Sequence, residues 1–110
     1  MNSKIMTVKQ GDTLRKRLLF KYVGTNTPVD LTGVAGYSQM RVMPKGPLMA
    51  EGTVTVDAPA GAIIVLYDSS QTEGLAAGNY GFDVRIESEG DVKTIYTKAV
   101  KIVDPFTELE

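Results

Sequence analysis

The chain has 110 residues, a net charge of −1 and 43% hydrophobic residues, most simply one domain with a core of its own. It holds no cysteine, which excludes a disulfide framework and a thiolate zinc site, and no histidine, which removes the usual general base and the commonest metal ligand. Lys9 and Asp12 follow the opening residues too soon for the apolar core of a signal peptide, and no apolar run approaches the roughly 20 residues of a membrane span. Charge is uneven along the chain: residues 1–50 carry eight Lys/Arg against two acids, and residues 51–110 carry four against eleven. Such asymmetry suits head-to-tail assembly or partner choice. It also cancels if strands from the two halves interleave in space.

In chain order, Lys4–Gln10 reads as a first, edge-like strand, ended by the turn signal Gly11-Asp12. Thr13–Tyr22 is the second strand. Leu14, Leu18, Phe20 and Tyr22 share one face and Arg15, Arg17 and Lys21 the other, with Lys16 interrupting the apolar face near its end. Gly24–Pro28 is a loop, and in Val29-Asp30-Leu31-Thr32-Gly33 local Asp and Thr turns should anchor Val29 and Leu31. Tyr37–Met43 is the third strand, with Met40 and Val42 on one face, closed by Pro44-Lys45-Gly46-Pro47. Thr53–Asp57 is a short strand, and Ala62–Tyr67 is an apolar run whose two faces both look covered.

Ser69, followed by Thr72 and Glu73, gives a weak capping pattern and predicts one helical turn over Ser69–Gly74. The clearest signal comes next. In Gly78–Glu87, Tyr80, Phe82, Val84 and Ile86 alternate with Gly81, Asp83, Arg85 and Glu87, the period of a strand with one buried face. Val92–Val103 is the last strand. Its alternation slips, which a bulge near Thr97-Lys98 would explain.

These elements predict an all-β protein: an immunoglobulin-like antiparallel β-sandwich of about seven strands over residues 1–104, then a short acidic tail, 105–110. The expected core is Leu18, Phe20, Met40, Val42, Ile64, Leu66, Tyr80, Phe82, Val84 and Ile86. Sandwiches of this class often carry a tyrosine corner, and Leu75–Tyr80 stands where the Tyr80 hydroxyl would bond to backbone near Leu75.

The order of several short pieces carries a resemblance. They are Gly11-Asp12-Thr13, Pro28–Gly33, Met40-Arg41-Val42, Gly61–Val65, Gln71-Thr72, Leu75–Val84, Thr94-Ile95-Tyr96 and Val100–Val103. Together they resemble the immunoglobulin-like domain of tailed-phage structural proteins, such as the N-terminal domain of phage upper baseplate proteins. The resemblance implies a non-enzymatic virion component of the tail, baseplate or fibre region that works by docking to other virion proteins or to its own copies. It implies synthesis in the host cytoplasm, and neither cofactor nor small-molecule substrate. Ala77 stands where the family often has Pro, and baseplate members usually continue beyond the point reached at Glu110, which leaves neck, head-decoration and assembly roles open.

Other chemistries find thin support. Asp30, Asp57, Asp68 and Asp91 lie in predicted turns without a calcium-loop spacing. Asp83 and Glu87, a conceivable carboxylate pair, sit on a face expected to be solvated, and Ser69-Ser70 has no histidine to activate it. Arg15-Lys16-Arg17 reads as a solvated or assembly-facing strand rather than a nucleic-acid contact. A carbohydrate- or receptor-binding module is the alternative, with Tyr37, Tyr67 and Tyr96 as candidate platforms. For docking, the two terminal strands are the expected edges, with Ile5, Val8, Lys9, Lys93, Ile95 and Tyr96 as the candidate interface.

Overall fold

A computed structural model describes residues 5–43 and 45–104. The expected start of the first strand at Lys4, Pro44 of the Pro44–Pro47 turn and the tail 105–110 lie outside the described residues. The chain forms β1 (Met6–Lys9), β2 (Leu14–Leu19), β3 (Ala35–Val42), β4 (Leu48–Asp57), β5 (Ala62–Tyr67), α1 (Ser69–Glu73), β6 (Gly78–Ser88) and β7 (Asp91–Val103). The strand order is β1-β7-β6-β3-β4-β5-β2. Strands from the two halves of the chain therefore interleave, and the charge asymmetry is largely mixed in space.

Two layers arise because β4 belongs to both. Its first half pairs with β3, up to Gly52 opposite Ser38, and its second half pairs with β5 from Thr53 opposite Leu66. A side chain at Gly52 would lie 2.8 Å from the Tyr67 ring, so glycine lets that ring rest against the backbone where the strand changes partner. All ladders are antiparallel except one: β1 runs parallel to β7, from Met6 opposite Val100 to Lys9 opposite Val103. The sheet is thus mixed where an antiparallel one was expected. The intervening chain crosses the whole sandwich before returning as β7, which is the long connection that a parallel pair needs.

The expected burial of Met40, Tyr80, Phe82 and Val84 holds. Leu18, Phe20, Val42 and Ile86 are half-buried against the same cluster. Ile64 and Leu66 are corrected: Ala62, Ile63, Val65 and Tyr67 are the fully buried residues of β5, and Ile64 and Leu66 are half-buried on its outward face. A run that is apolar at every position has no period to assign its faces, so pairing register assigns them. Arg17 is paired opposite Ile64 and Arg15 opposite Leu66, which sets long side chains beside them. Lys16 takes an inward position of β2 by holding its ammonium 5.8 Å from the Tyr96 ring centroid, a cation–π contact at the rim. Leu31 is buried and Val29 half-buried, so both anchor the chain as expected.

The slip in β7 is a bulge, two residues before its expected place. Val84 pairs with Tyr96 and Arg85 with Thr94, leaving Ile95 as the extra residue. Ile95 and Tyr96 consequently both pack on the core, which accounts for apolar residues on both parities. A second irregularity leaves Met49 unpaired, between Met40 opposite Ala50 and Arg41 opposite Leu48.

Candidate docking surfaces

One end of the sandwich is closed by α1. Asp68 is its N-cap and accepts from the Gln71 N–H at 3.0 Å, while the Gln71 side chain accepts from the Asp68 N–H at 2.9 Å. The Ser70 hydroxyl and the Gln71 N–H hold the Asp68 carboxyl below its ordinary range. Thr72, fully buried, accepts from Gly11 N–H at 3.1 Å and donates to Asp12 C=O at 2.6 Å. Ser69 donates to Gly11 C=O, and Gln10 donates to Leu75 C=O. The β1–β2 turn is thereby tied to the helix. The tyrosine corner is beside it: the Tyr80 hydroxyl donates to Ala76 C=O at 2.7 Å, one residue on from the expected Leu75.

A second polar linkage joins the layers. The Ser38 hydroxyl donates to Asp83 C=O at 2.7 Å, so its 2.7 Å contact with Tyr67 is donated by the tyrosine. Burial pushes the Tyr67 hydroxyl up to about 12. No buried side-chain polar atom among the described residues lacks a partner.

The outer face of the β3–β6–β7 layer is polar. Tyr37 is half exposed and its hydroxyl donates to Glu87 at 3.2 Å, an acceptor that raises the phenol above its ordinary value. Asp83 accepts from Arg85 at 3.2 Å and from the Gln39 N–H at 3.3 Å. Tyr37, Gln39, Asp83 and Arg85 border a shallow depression of about 310 Å³ that Glu51 and Val92 also line. Of the three tyrosines considered as platforms, Tyr37 alone is exposed. Tyr67 is fully buried, and Tyr96 is half-buried, its ring 6.1 Å from that of Phe82. Two of the turn aspartates have local work: Asp30 accepts from the Thr32 hydroxyl at 2.6 Å, and Asp68 caps α1. Among the described residues no group of three or more Asp or Glu side chains converges as a metal site would require.

The residues expected at a terminal-strand interface differ in exposure. Ile5 and Lys93 are exposed, but Val8 is 9% exposed within the core cluster, and Ile95 and Tyr96 pack on that cluster through the bulge. Lys9 is half-buried. β7 is also not a simple edge: β1 covers Val100–Val103, leaving its first residues open on that side among the described residues. A further open edge among the described residues is β2, at the far end of the strand order from β1, which the expected terminal-strand interface does not include. The Phe20 N–H donates to Gly61 C=O at 2.8 Å, and that bond fixes the phase of the β2–β5 ladder. Residues 14, 16 and 18 therefore address β5, whereas Arg15, Arg17 and Leu19 direct N–H and C=O groups away from it. All three side chains are exposed, Leu19 by 52%. The alternation Arg15-x-Arg17-x-Leu19 was the available signal, but a strand's neighbours are not written in its own residues.

No family model matches the chain, and its sequence matches no curated protein. Among solved structures, CopC from Methylosinus trichosporium OB3b superposes with a TM-score of 0.54 over 98% of this chain and 91% of that one, at 19% identity. At that identity the likeness speaks for the fold, a β-sandwich of barrel-like closure, and for nothing finer.

Proposed function

We propose that this chain is a non-enzymatic structural protein of a tailed-phage virion, in the tail, baseplate or fibre region, and that it acts by protein–protein docking. The observation that carries docking is the open β2 edge, where Arg15, Arg17 and Leu19 combine unpaired backbone groups with exposed side chains. The buried polar side-chain atoms among the described residues are all paired, in caps and cross-layer bonds, which supports a scaffold role over a catalytic one. The virion assignment rests on the phage-domain resemblance of the sequence. Mass spectrometry of gradient-purified particles from a phage that encodes the chain tests it. The chain should be found at a stoichiometric copy number; particles complete without it would overturn the reading. A second reading, glycan or receptor binding, now rests on Tyr37 beside Asp83, Arg85 and Glu87. A glycan array gives its expected outcome: a hit that Tyr37→Ala abolishes.

A further inference from the structure

We propose that the open edge of β2 accepts residues 105–110 of a second copy of this chain as an added antiparallel strand. The inference rests on the docking role above and names its partner. On the acceptor side, the backbone groups of Arg15, Arg17 and Leu19 point away from β5. Neither arginine side chain has a hydrogen-bond or ion-pair partner among the described residues. On the donor side, the sequence Pro105-Phe106-Thr107-Glu108-Leu109-Glu110 puts Phe106, Glu108 and Glu110 on one face if it is extended. An antiparallel register that sets Phe106 opposite Leu19 sets Glu108 opposite Arg17 and Glu110 opposite Arg15. One apolar pair and two opposed-charge pairs then fall together on the outer face. All three donor residues carry the N–H that the β2 carbonyls need, and Pro105, which lacks one, falls before the first pair.

The same register cannot form within one chain. Val103 C=O accepts from Gln10 N–H at 2.8 Å, which fixes the end of β7 at the α1 end, beside the turn that leads to Leu14. Leu19 lies at the other end of β2, about 17 Å further along at roughly 3.4 Å per residue. From Val103 to Phe106 the chain spans at most about 11 Å. A parallel arrangement within one chain that starts with Phe106 against Arg15 sets Glu110 against Leu19 and keeps one charge pair; shifted by two residues it keeps both charge pairs but takes Phe106 away from Leu19. Only the antiparallel register matches the apolar pair and both charge pairs together, and reach gives that register to a second copy. The contact joins different surfaces on the two partners, so mutual exchange closes a dimer and one-way exchange builds a ring or filament. One short strand buries little area, and the association should be weak and weakened further by salt.

Sedimentation velocity of the full chain at low salt, from about 1 µM to 1 mM, tests this. The expected result is concentration-dependent self-association. Arg15→Glu/Arg17→Glu, and separately Glu108→Arg/Glu110→Arg, should each raise the apparent dissociation constant at least about tenfold with circular dichroism unchanged. An equimolar mixture of the two variants should associate again, since each acidic edge meets a basic tail and each basic edge an acidic one. Wild-type protein that stays monomeric throughout, or a mixture that stays monomeric, overturns the proposal. So does association that both charge-reversed variants retain. Detection in purified particles is a separate readout, so this partner can fail while the docking role stands.

Discussion

The β1–β2 turn at the α1 end and the β2 edge lie within a few residues of one another in the chain and are built on opposite terms. At the α1 end the turn's polar groups are answered: Gly11 N–H and Asp12 C=O by Thr72, Gly11 C=O by Ser69. From Arg15 onward every second residue of β2 turns its backbone outward with nothing among the described residues to meet it. Buried polar groups must be paired or they destabilise the fold, whereas an edge in water loses little by staying open. The difference separates what holds this molecule together from the surface it leaves for a partner.

The largest effect should come from the interior that the closed end caps. Phe82 lies between Tyr67, at 5.7 Å between ring centroids, and Tyr96, at 6.1 Å. Phe82→Ala should destabilise the protein by about 3–5 kcal/mol in urea unfolding, through lost transfer energy and a cavity. A loss below about 1 kcal/mol would mean that the inward face of β6 is not the core.

Alkali should act through Tyr67. Its hydroxyl is pushed up to about 12 from an ordinary 10.0, because burial disfavours the phenolate. Below the ordinary value both folded and unfolded chains hold this proton. Above it the unfolded chain releases the proton while the folded chain keeps it, so stability is lost as pH rises toward the folded value. The slope for one group approaches about 1.4 kcal/mol per pH unit. Unfolding free energies of wild type and Tyr67→Phe, measured from pH 9 to 11.5, should converge as pH rises; parallel curves would show that Tyr67 ionises freely.

Thr72→Val keeps the shape of the side chain and removes its hydroxyl, leaving Gly11 N–H and Asp12 C=O without their partner. The expected cost is about 1–3 kcal/mol, with hydrogen exchange accelerated at the β1–β2 turn. Unchanged exchange there would mean that water replaces the threonine and that the closed end is less closed than its bonds indicate.

How far the sequence reached differs between these regions for physical reasons. Gly78–Glu87 has a strict period of two, and the structure buries Tyr80, Phe82 and Val84 accordingly. The tyrosine corner was legible because it is local, closing over four residues. The helical turn was placed well, but its cap is Asp68 with Gln71, one residue before the Ser69 pattern. β5 carries no period, and its faces were misassigned. Ile95 became a bulge because β6 and β7 must stay in register over a long ladder, a constraint between strands that neither states alone. For the same reason the parallel β1–β7 pair and the open β2 edge were beyond reach. Arg15 and Arg17 were visible as a basic alternation; their place at the end of the strand order was not.

The smallest effect on stability should come from the edge itself. Arg17 is exposed, its N–H and C=O face away from β5, and its side chain has no partner among the described residues. Arg17→Ala removes no ladder bond and leaves no buried group unpaired, so its cost should stay within about 0.5 kcal/mol. Self-association should fall all the same, because the substitution deletes one of the two charge pairs of the added strand. The two readouts bear on different sides of the comparison. Arg17 stands opposite Ile64, whose outward face is half-buried, and a long arginine stem can cover apolar surface. If Arg17→Ala instead cost more than about 1.5 kcal/mol, that coverage would be its main work, and Arg17 would belong with Thr72 among the residues that hold the fold. A small loss of stability together with a clear loss of association would place it on the partner's side.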